Sequence, residues 1–223
     1  MLYSEKNVRD NIRNRDGKRV FYLGAADNLT PSARDYLRQQ RIEILPAGEA
    51  RPEYYELENG AVFREKPEHY THLRGNILVP KTHPVIAFRG AMDMLQAELL
   101  LAQLAAPEVG QELQEILSLA RKILSCEVME EPLEEKKLCG LTEEQQRKHS
   151  HVPQEYYGQP HFMPEAADGA AILQLNRARC TARWAELAAA RAFPENDRPD
   201  LQQALNRMSS MIYILMIRLK AKM

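Results

Sequence analysis

Cysteine is scarce in this 223-residue chain: Cys126, Cys139 and Cys180 are the whole supply, and their spacing fits neither a zinc knuckle nor a disulfide framework. They read as reduced thiols of a cytoplasmic protein, acting as small apolar side chains. Long apolar runs are missing too. No stretch approaches the ~20 residues of a membrane helix, and the most apolar segment, Met211 to Leu219, is short and is followed by Lys220 and Lys222. The opening Met1-Leu2-Tyr3-Ser4-Glu5-Lys6 lacks the apolar core of a signal peptide. Charge of one sign is also lacking. The formal net charge of −1 argues against a general nucleic-acid binder while leaving room for a local basic pocket. Internal repeats and low-complexity tracts are absent. What is present, 44% hydrophobic and 27% charged residues, is ordinary for a soluble globular protein.

Two regions differ in character. Residues 1–66 read as a small α/β module. Val20 to Leu23 is a strand candidate, and Asn28-Leu29-Thr30-Pro31 offers a cap and a first-turn proline for a helix running to about Gln40. Ile42 to Leu45 alternates like a second strand, and Asn59-Gly60 suits a hairpin turn between Tyr55 and Phe63. Residues 66–80 read as a polar connector. The remainder, 67–223 as a domain, is helical in pattern. Helices are expected over about Val85–Ala105, Glu108–Glu130, Thr142–His149, Asp168–Arg191 and from Pro199 to the end, with a proline-punctuated loop over 150–167. Long helices with short connections imply a mainly α fold, a four- or five-helix bundle carrying a small N-terminal α/β segment.

Polar residues interrupt helices that should be buried. In the last helix, Leu201, Leu205, Met208, Ile212, Leu215 and Leu219 form one apolar face, and Ala204, Met211, Ile214 and Met216 extend it nearly all round. A helix of that kind lies inside a bundle. Yet Asn206, Arg207, Ser209 or Ser210, and Tyr213 line one side, and buried polar groups without partners cost about 1–3 kcal/mol each. In the preceding helix Arg179, Arg183 and Glu186 fall at i, i+4 and i+7. Two arginines so placed repel unless a carboxylate or polyanion lies between them, and arginine pairs bind phosphate oxygens with forked hydrogen bonds. The first bundle helix carries Arg89, Asp93 and Gln96 on one face, which makes Asp93 a candidate partner for an arginine of a neighbouring helix. Lys81-Thr82-His83-Pro84 leads into that helix as a basic, hydroxyl-bearing turn at an anion-favouring N-terminus. Solvated surface is the competing reading of such faces, and a structural network that of the Asn-Arg pair.

These segments resemble the cobalamin adenosyltransferases. Arg198-Pro199-Asp200-Leu201-Gln202-Gln203-Ala204-Leu205-Asn206-Arg207-Met208-Ser209-Ser210 is similar to that family's closing Asn-Arg-Leu-Ser helix. Ala178-Arg179-Cys180-Thr181-Ala182-Arg183-Trp184-Ala185-Glu186 is similar to its Ala-Arg-x-x-x-Arg-Arg-Ala-Glu helix, and His161-Phe162-Met163-Pro164-Glu165-Ala166-Ala167-Asp168-Gly169 to the loop before it. Leu29-Thr30-Pro31-Ser32-Ala33-Arg34 and Val79-Pro80-Lys81-Thr82-His83-Pro84-Val85-Ile86-Ala87-Phe88-Arg89-Gly90 resemble the ethanolamine-utilisation branch. The likeness spans most of 29–217 and is weakest over 107–140.

The resemblance implies transfer of the 5′-deoxyadenosyl group of ATP to the cobalt of reduced cobalamin with release of triphosphate, aided by Mg²⁺. Arg183, Asp93 and Arg179 are then the catalytic candidates, with Arg179 and Asp93 pairing across a subunit interface. Lys81, Thr82, Arg183, Glu186 and Asn206 would bind ATP, and His161, Phe162 and Met163 the corrinoid. Phe162 is expected to displace the lower axial base of the corrin, with His161 as a rival lower ligand. A homo-oligomer, first of all a trimer, is implied. So are a cytoplasmic or microcompartment-associated location, no membrane or nucleic-acid partner, and an adenosylcobalamin-dependent ammonia-lyase as consumer. The chain departs from the pattern in three places. The glycine-rich Thr-x-x-Gly-Asp motif of propanediol-type relatives gives way to Lys81-Thr82-His83, and Trp184 replaces the second arginine of the Arg-Arg pair. No cysteine precedes Cys126, so the branch's upstream His and Cys-Cys-x-x-Cys metal cluster is not expected, and His69 and His72 read as surface residues. A non-catalytic nucleotide- or corrinoid-binding protein, or a microcompartment docking protein, is the alternative.

Overall fold

A computed structural model describes residues 1–15, 17–47, 55–57, 60–63, 66–134 and 137–223. It divides into two compact units, Met1–His83 and Pro84–Met223.

The first unit begins with β1 (Leu2–Tyr3), the short helix α1 (Glu5–Arg9), β2 (Arg13–Arg15), β3 (Lys18–Leu23), β4 (Asn28–Leu29), helix α2 (Pro31–Gln39) and β5 (Glu43–Pro46). The expected strand–helix–strand is present. β3 and β5 pair in parallel, Val20 opposite Glu43 and Leu23 opposite Pro46. α2 starts at Pro31 because the Thr30 hydroxyl accepts the Ala33 N–H and proline has no donor to satisfy. Val8, Phe21, Ala33 and Leu37 bury themselves together as this part's core. β6 (Tyr55–Leu57), β7 (Val62–Phe63), β8 (Tyr70–Arg74) and β9 (Ile77–Pro80) form a second sheet in the order β7-β6-β9-β8. β6 and β7 are antiparallel, with Tyr55 opposite Phe63; Asn59 of the expected turn lies outside the described residues.

The segment 66–80 is therefore not a connector. It is a hairpin whose Leu73, Leu78 and Val79 are buried. Its turn passes through Gly75, at φ +52°, where a Cβ would lie 2.5 Å from the Asn14 backbone nitrogen. Only glycine fits so close an approach.

The second unit holds α3 (Pro84–Ala105), α4 (Gly110–Met129), a small hairpin of β10 (Lys137–Leu138) and β11 (Leu141–Thr142), α5 (Glu143–His151), α6 (Pro153–Tyr157), α7 (Gly169–Ala192) and α8 (Pro199–Lys220). α3 packs along α7 and α4, α7 along α8, and α5 closes against α8. This is the expected bundle with its small N-terminal α/β part. α8 runs through it as its sequence requires, with Met211, Ile212, Ile214, Leu215, Met216 and Ile217 all buried. The 150–167 region is more ordered than its prolines suggest. Thr142 and Gln145 cap α5 reciprocally, and α5 continues to His151. Pro153 then opens α6 instead of breaking the chain, and Gly158 at φ +68° ends it. Among the described residues no helix is long and apolar enough to cross a membrane.

Candidate functional site

Ion pairs, with the Glu127 and Glu98 carboxylates buried, link the helices of the bundle. Arg89 of α3 donates from Nε and Nη2 to Glu127 of α4 at 2.8 and 3.0 Å, and the Glu127 side chain is 0% exposed. Glu98 of α3 accepts from Gln174 and Arg177 of α7, each at 2.8 Å. Arg218 of α8 reaches Glu112 of α4 at 2.8 Å. Before α8, Arg198 grips Asp200 with two hydrogen bonds and donates to the Glu131 carbonyl, while the Leu133 N–H donates to Asp200. The charges of these helix contacts are thus neutralised within the chain.

The cavity between α7, α8, the end of α5 and the following loop differs. It is open to solvent, with a volume of about 310 Å³, and is lined by Ser150, His151, His161, Arg179, Arg183, Ser209, Ser210 and Tyr213. Two guanidinium groups enter it and no carboxylate lines it among the described residues. Arg179 donates from Nε and Nη2 to the Asn176 side-chain oxygen at 3.1 and 2.9 Å, and its guanidinium carbon lies 5.9 Å from the Tyr213 ring centre. Arg183, one turn on, has no hydrogen-bond or ionic partner among the described residues. Two uncompensated cations beside three serine hydroxyls make a pocket for an oxygen-rich anion.

One turn further along the same two helices, Asn206 Nδ2 donates to Glu186 Oε1 at 2.7 Å, and Arg207 donates to Asn206 Oδ1. Arginine can only donate, so this contact fixes which way the Asn206 amide faces. The sequence-selected residues of α7 and α8 are therefore adjacent, although Glu186 and Asn206 do not line the cavity itself. The loop residues diverge. His161 enters the cavity wall; Phe162 stacks 6.5 Å from Tyr213 and lies under Lys220, whose ammonium is 5.8 Å from its ring centre. Lys220 also bonds Asp168 and, with the Glu165 N–H, holds that carboxyl below the usual carboxylate range. Met163 is 85% exposed.

Asp93 is exposed on α3 without a partner among the described residues, so within one chain Arg179 is satisfied by Asn176 and not by Asp93. Lys81 and Thr82 belong to the first unit, where the Lys81 ammonium meets Glu68 at 2.9 Å. Ser150 and His151 escaped the sequence reading because they close a short helix with no apolar period. The capping box at Thr142 and Gln145 marks only where α5 begins. No three His, Cys, Asp or Glu side chains gather as a metal site among the described residues.

A helical bundle with an arginine- and serine-lined cavity between its last two long helices suits a protein that handles an oxygen-rich anion. The cobalamin adenosyltransferase family profile matches residues 61–219, and the chain belongs to that family. It is 32% identical to the corrinoid adenosyltransferase EutT of Salmonella typhimurium strain LT2, over 98% of this chain and 92% of the relative. It is 31% identical to the corrinoid adenosyltransferase EutT of Escherichia coli strain K12, over 88% of this chain and 84% of the relative.

Proposed function

We propose that the chain is an ATP:cob(I)alamin adenosyltransferase of ethanolamine utilisation and that the α7–α8 cavity receives the triphosphate of ATP. The observation that carries this reading is the pair Arg179 and Arg183 facing a cavity that no carboxylate lines among the described residues. In the reaction the Co(I) electron pair forms the bond to C5′, the C5′–O bond breaks, and its electrons leave on the triphosphate as cobalt becomes Co(III). Charge therefore grows on the leaving group. Arg183, without a partner among the described residues, is placed to take it, with Arg179 and the serine hydroxyls beside it. Arg179, held by two hydrogen bonds to Asn176, is a donor fixed before the reaction, and such donors stabilise charge without reorganising.

The Asn206–Glu186 pair, its amide oriented by Arg207, holds the nucleoside end in this scheme, and Lys81 and Thr82 complete the ATP contacts. With no carboxylate in the cavity lining among the described residues, Mg²⁺ would arrive on the phosphates as MgATP. His161, Phe162 and Met163 form the corrinoid-facing loop. Transfer is assigned to residues 67–223.

A homo-oligomer, with a trimer as the first expectation, is supported by apolar side chains left outside. Met94, Leu101 and Leu104 on α3 and Leu173, Trp184 and Leu187 on α7 are exposed, Trp184 by 54%. In such an oligomer, on the family resemblance, Asp93 of one chain would pair with Arg179 of the next. The product would serve an adenosylcobalamin-dependent ammonia-lyase in the cytoplasm or at a microcompartment.

The deciding experiment mixes protein, MgATP and chemically reduced cob(I)alamin without oxygen and follows the absorbance spectrum. Conversion to adenosylcobalamin that is lost in Arg183→Ala supports the reading. Binding of both substrates without conversion would replace it with a carrier role.

A further inference from the structure

Four interactions converge on one side chain that the reaction scheme has not used. Tyr213 of α8 lines the cavity, lies 5.7 Å from the His161 ring at an interplanar angle of 11°, stacks on Phe162, and receives the Arg179 guanidinium on its face. Its hydroxyl is 2.9 Å from His161 Nδ1, and His161 Nε2 is 3.0 Å from the His151 carbonyl oxygen. A carbonyl only accepts, so Nε2 carries the proton and donates. In neutral imidazole Nδ1 then presents a lone pair, and the Tyr213 hydroxyl donates to it. The ring is thus tied at both nitrogens, to α8 on one side and to the end of α5 on the other.

We propose that Tyr213 is a positioning residue for adenosyl transfer: its hydroxyl fixes the His161 ring, and through it seats the 161–165 loop against the arginine cavity. The inference rests on the adenosyltransferase reading for its kinetic consequence, while the seating itself follows from geometry alone. Two further consequences separate this role from simple packing. The Nδ1 lone pair is the form of histidine that binds metals, so the same hydroxyl keeps His161 from ligating a substrate metal. The phenol ring can also carry both stacks and the Arg179 contact without its oxygen, so Tyr213→Phe removes the seating and little else.

The test is a double-mutant cycle of Tyr213→Phe with His161→Ala, read by steady-state adenosyl transfer and by exchange of the loop's hydrogen-bonded amide, that of Glu165, whose N–H is held by Asp168. In the wild-type background Tyr213→Phe is expected to lower kcat about tenfold and leave KM for ATP within about twofold, the scale of one hydrogen bond to a positioned group. Loop exchange should rise about five- to tenfold. In the His161→Ala background the same substitution should change kcat less than about twofold, because the partner is gone. His161→Asn, whose side-chain oxygen can still accept from the hydroxyl, should recover most of the kcat that His161→Ala loses. Equal losses in both backgrounds, or no loss in either, overturn the proposal. If the wild-type protein does not transfer adenosyl groups at all, the functional reading fails. The exchange measurement then decides alone: a rise keeps the hydroxyl as the loop's anchor, and unchanged exchange removes it.

Discussion

At the contacts of α4 with α3 and α8, Arg89 meets Glu127 and Arg218 meets Glu112. Between α7 and α8, Arg179 and Arg183 meet no carboxylate among the described residues: Arg179 leans on Asn176 and Tyr213, and Arg183 has no partner. As sequence, both regions offer arginines within helical segments. The difference is where the neutralising charge comes from. In the first it is built into the fold, so the residues act on stability. In the second it is left to a ligand, so they act on binding and rate.

The largest effect that would break this contrast is expected at the closed pair. Glu127→Ala should cost about 3–5 kcal/mol of unfolding free energy, because it strips the carboxylate from a half-buried guanidinium. Transfer per folded molecule should stay near wild type. Urea unfolding beside the anaerobic assay checks both halves, and a loss of rate at full stability would move Glu127 out of the structural class. Arg183→Ala is its mirror. It should lower kcat/KM by about 10²–10³-fold, the scale of one lost donor to developing charge. Unfolding free energy should shift by no more than about 0.5 kcal/mol, as for an exposed residue without partners. A stability loss of several kcal/mol with normal turnover would instead place Arg183 in a network.

Much of this contrast was legible in the sequence. The 3.6-residue period located α3, α4, α7 and α8, and the all-round apolar character of Met211 to Leu219 put α8 inside. The i, i+4, i+7 spacing of Arg179, Arg183 and Glu186 selected the cavity helix. Spacing could not say which cations find carboxylates, because Glu98, Glu112 and Glu127 are 38 to 106 residues from partners they meet only in three dimensions. Proline misled at Pro153, which starts a helix, and the 66–80 segment hid a hairpin because its buried residues, Leu73, Leu78 and Val79, are few among polar ones. Ser150 and His151 reach the cavity through the length of α5, of which the reciprocal cap at Thr142 marks only the start.

A third, smaller effect sharpens the comparison at the entry to α8. Asp200 accepts twice from Arg198 and once from the Leu133 N–H, so it joins the start of α8 to the chain leaving α4. Asp200→Ala should cost about 1.5–3 kcal/mol, the range for hydrogen bonds to a charged group. KM for ATP should not move, because the nearest proposed nucleotide contact, Asn206, is more than a turn away. A raised KM at unchanged stability would show that the first turn of α8 belongs to the site.

The smallest effect concerns acid. Burial would raise the Asp200 carboxyl, but Arg198 and the Leu133 N–H outweigh it and hold it below the usual range; the Lys220 hydrogen bond and the Glu165 N–H do the same for Asp168. An unfolded Asp titrates near 3.9, about the model-peptide value. A folded-state value below that means the folded protein holds fewer protons in between, so stability rises with pH there. These two contributions are complete above the unfolded value and fade as pH falls through the folded ones, which puts the loss below about pH 4 and leaves the range from about 5 to 7 flat for these groups. Urea unfolding below about pH 4 should show the slope, and Asp168→Asn should flatten part of it by removing the titrating group while keeping an acceptor for Lys220. An unchanged slope in that variant would mean the Asp168–Lys220 contact is open in solution, and the loop carrying His161 and Phe162 would then lack its second tie to α8.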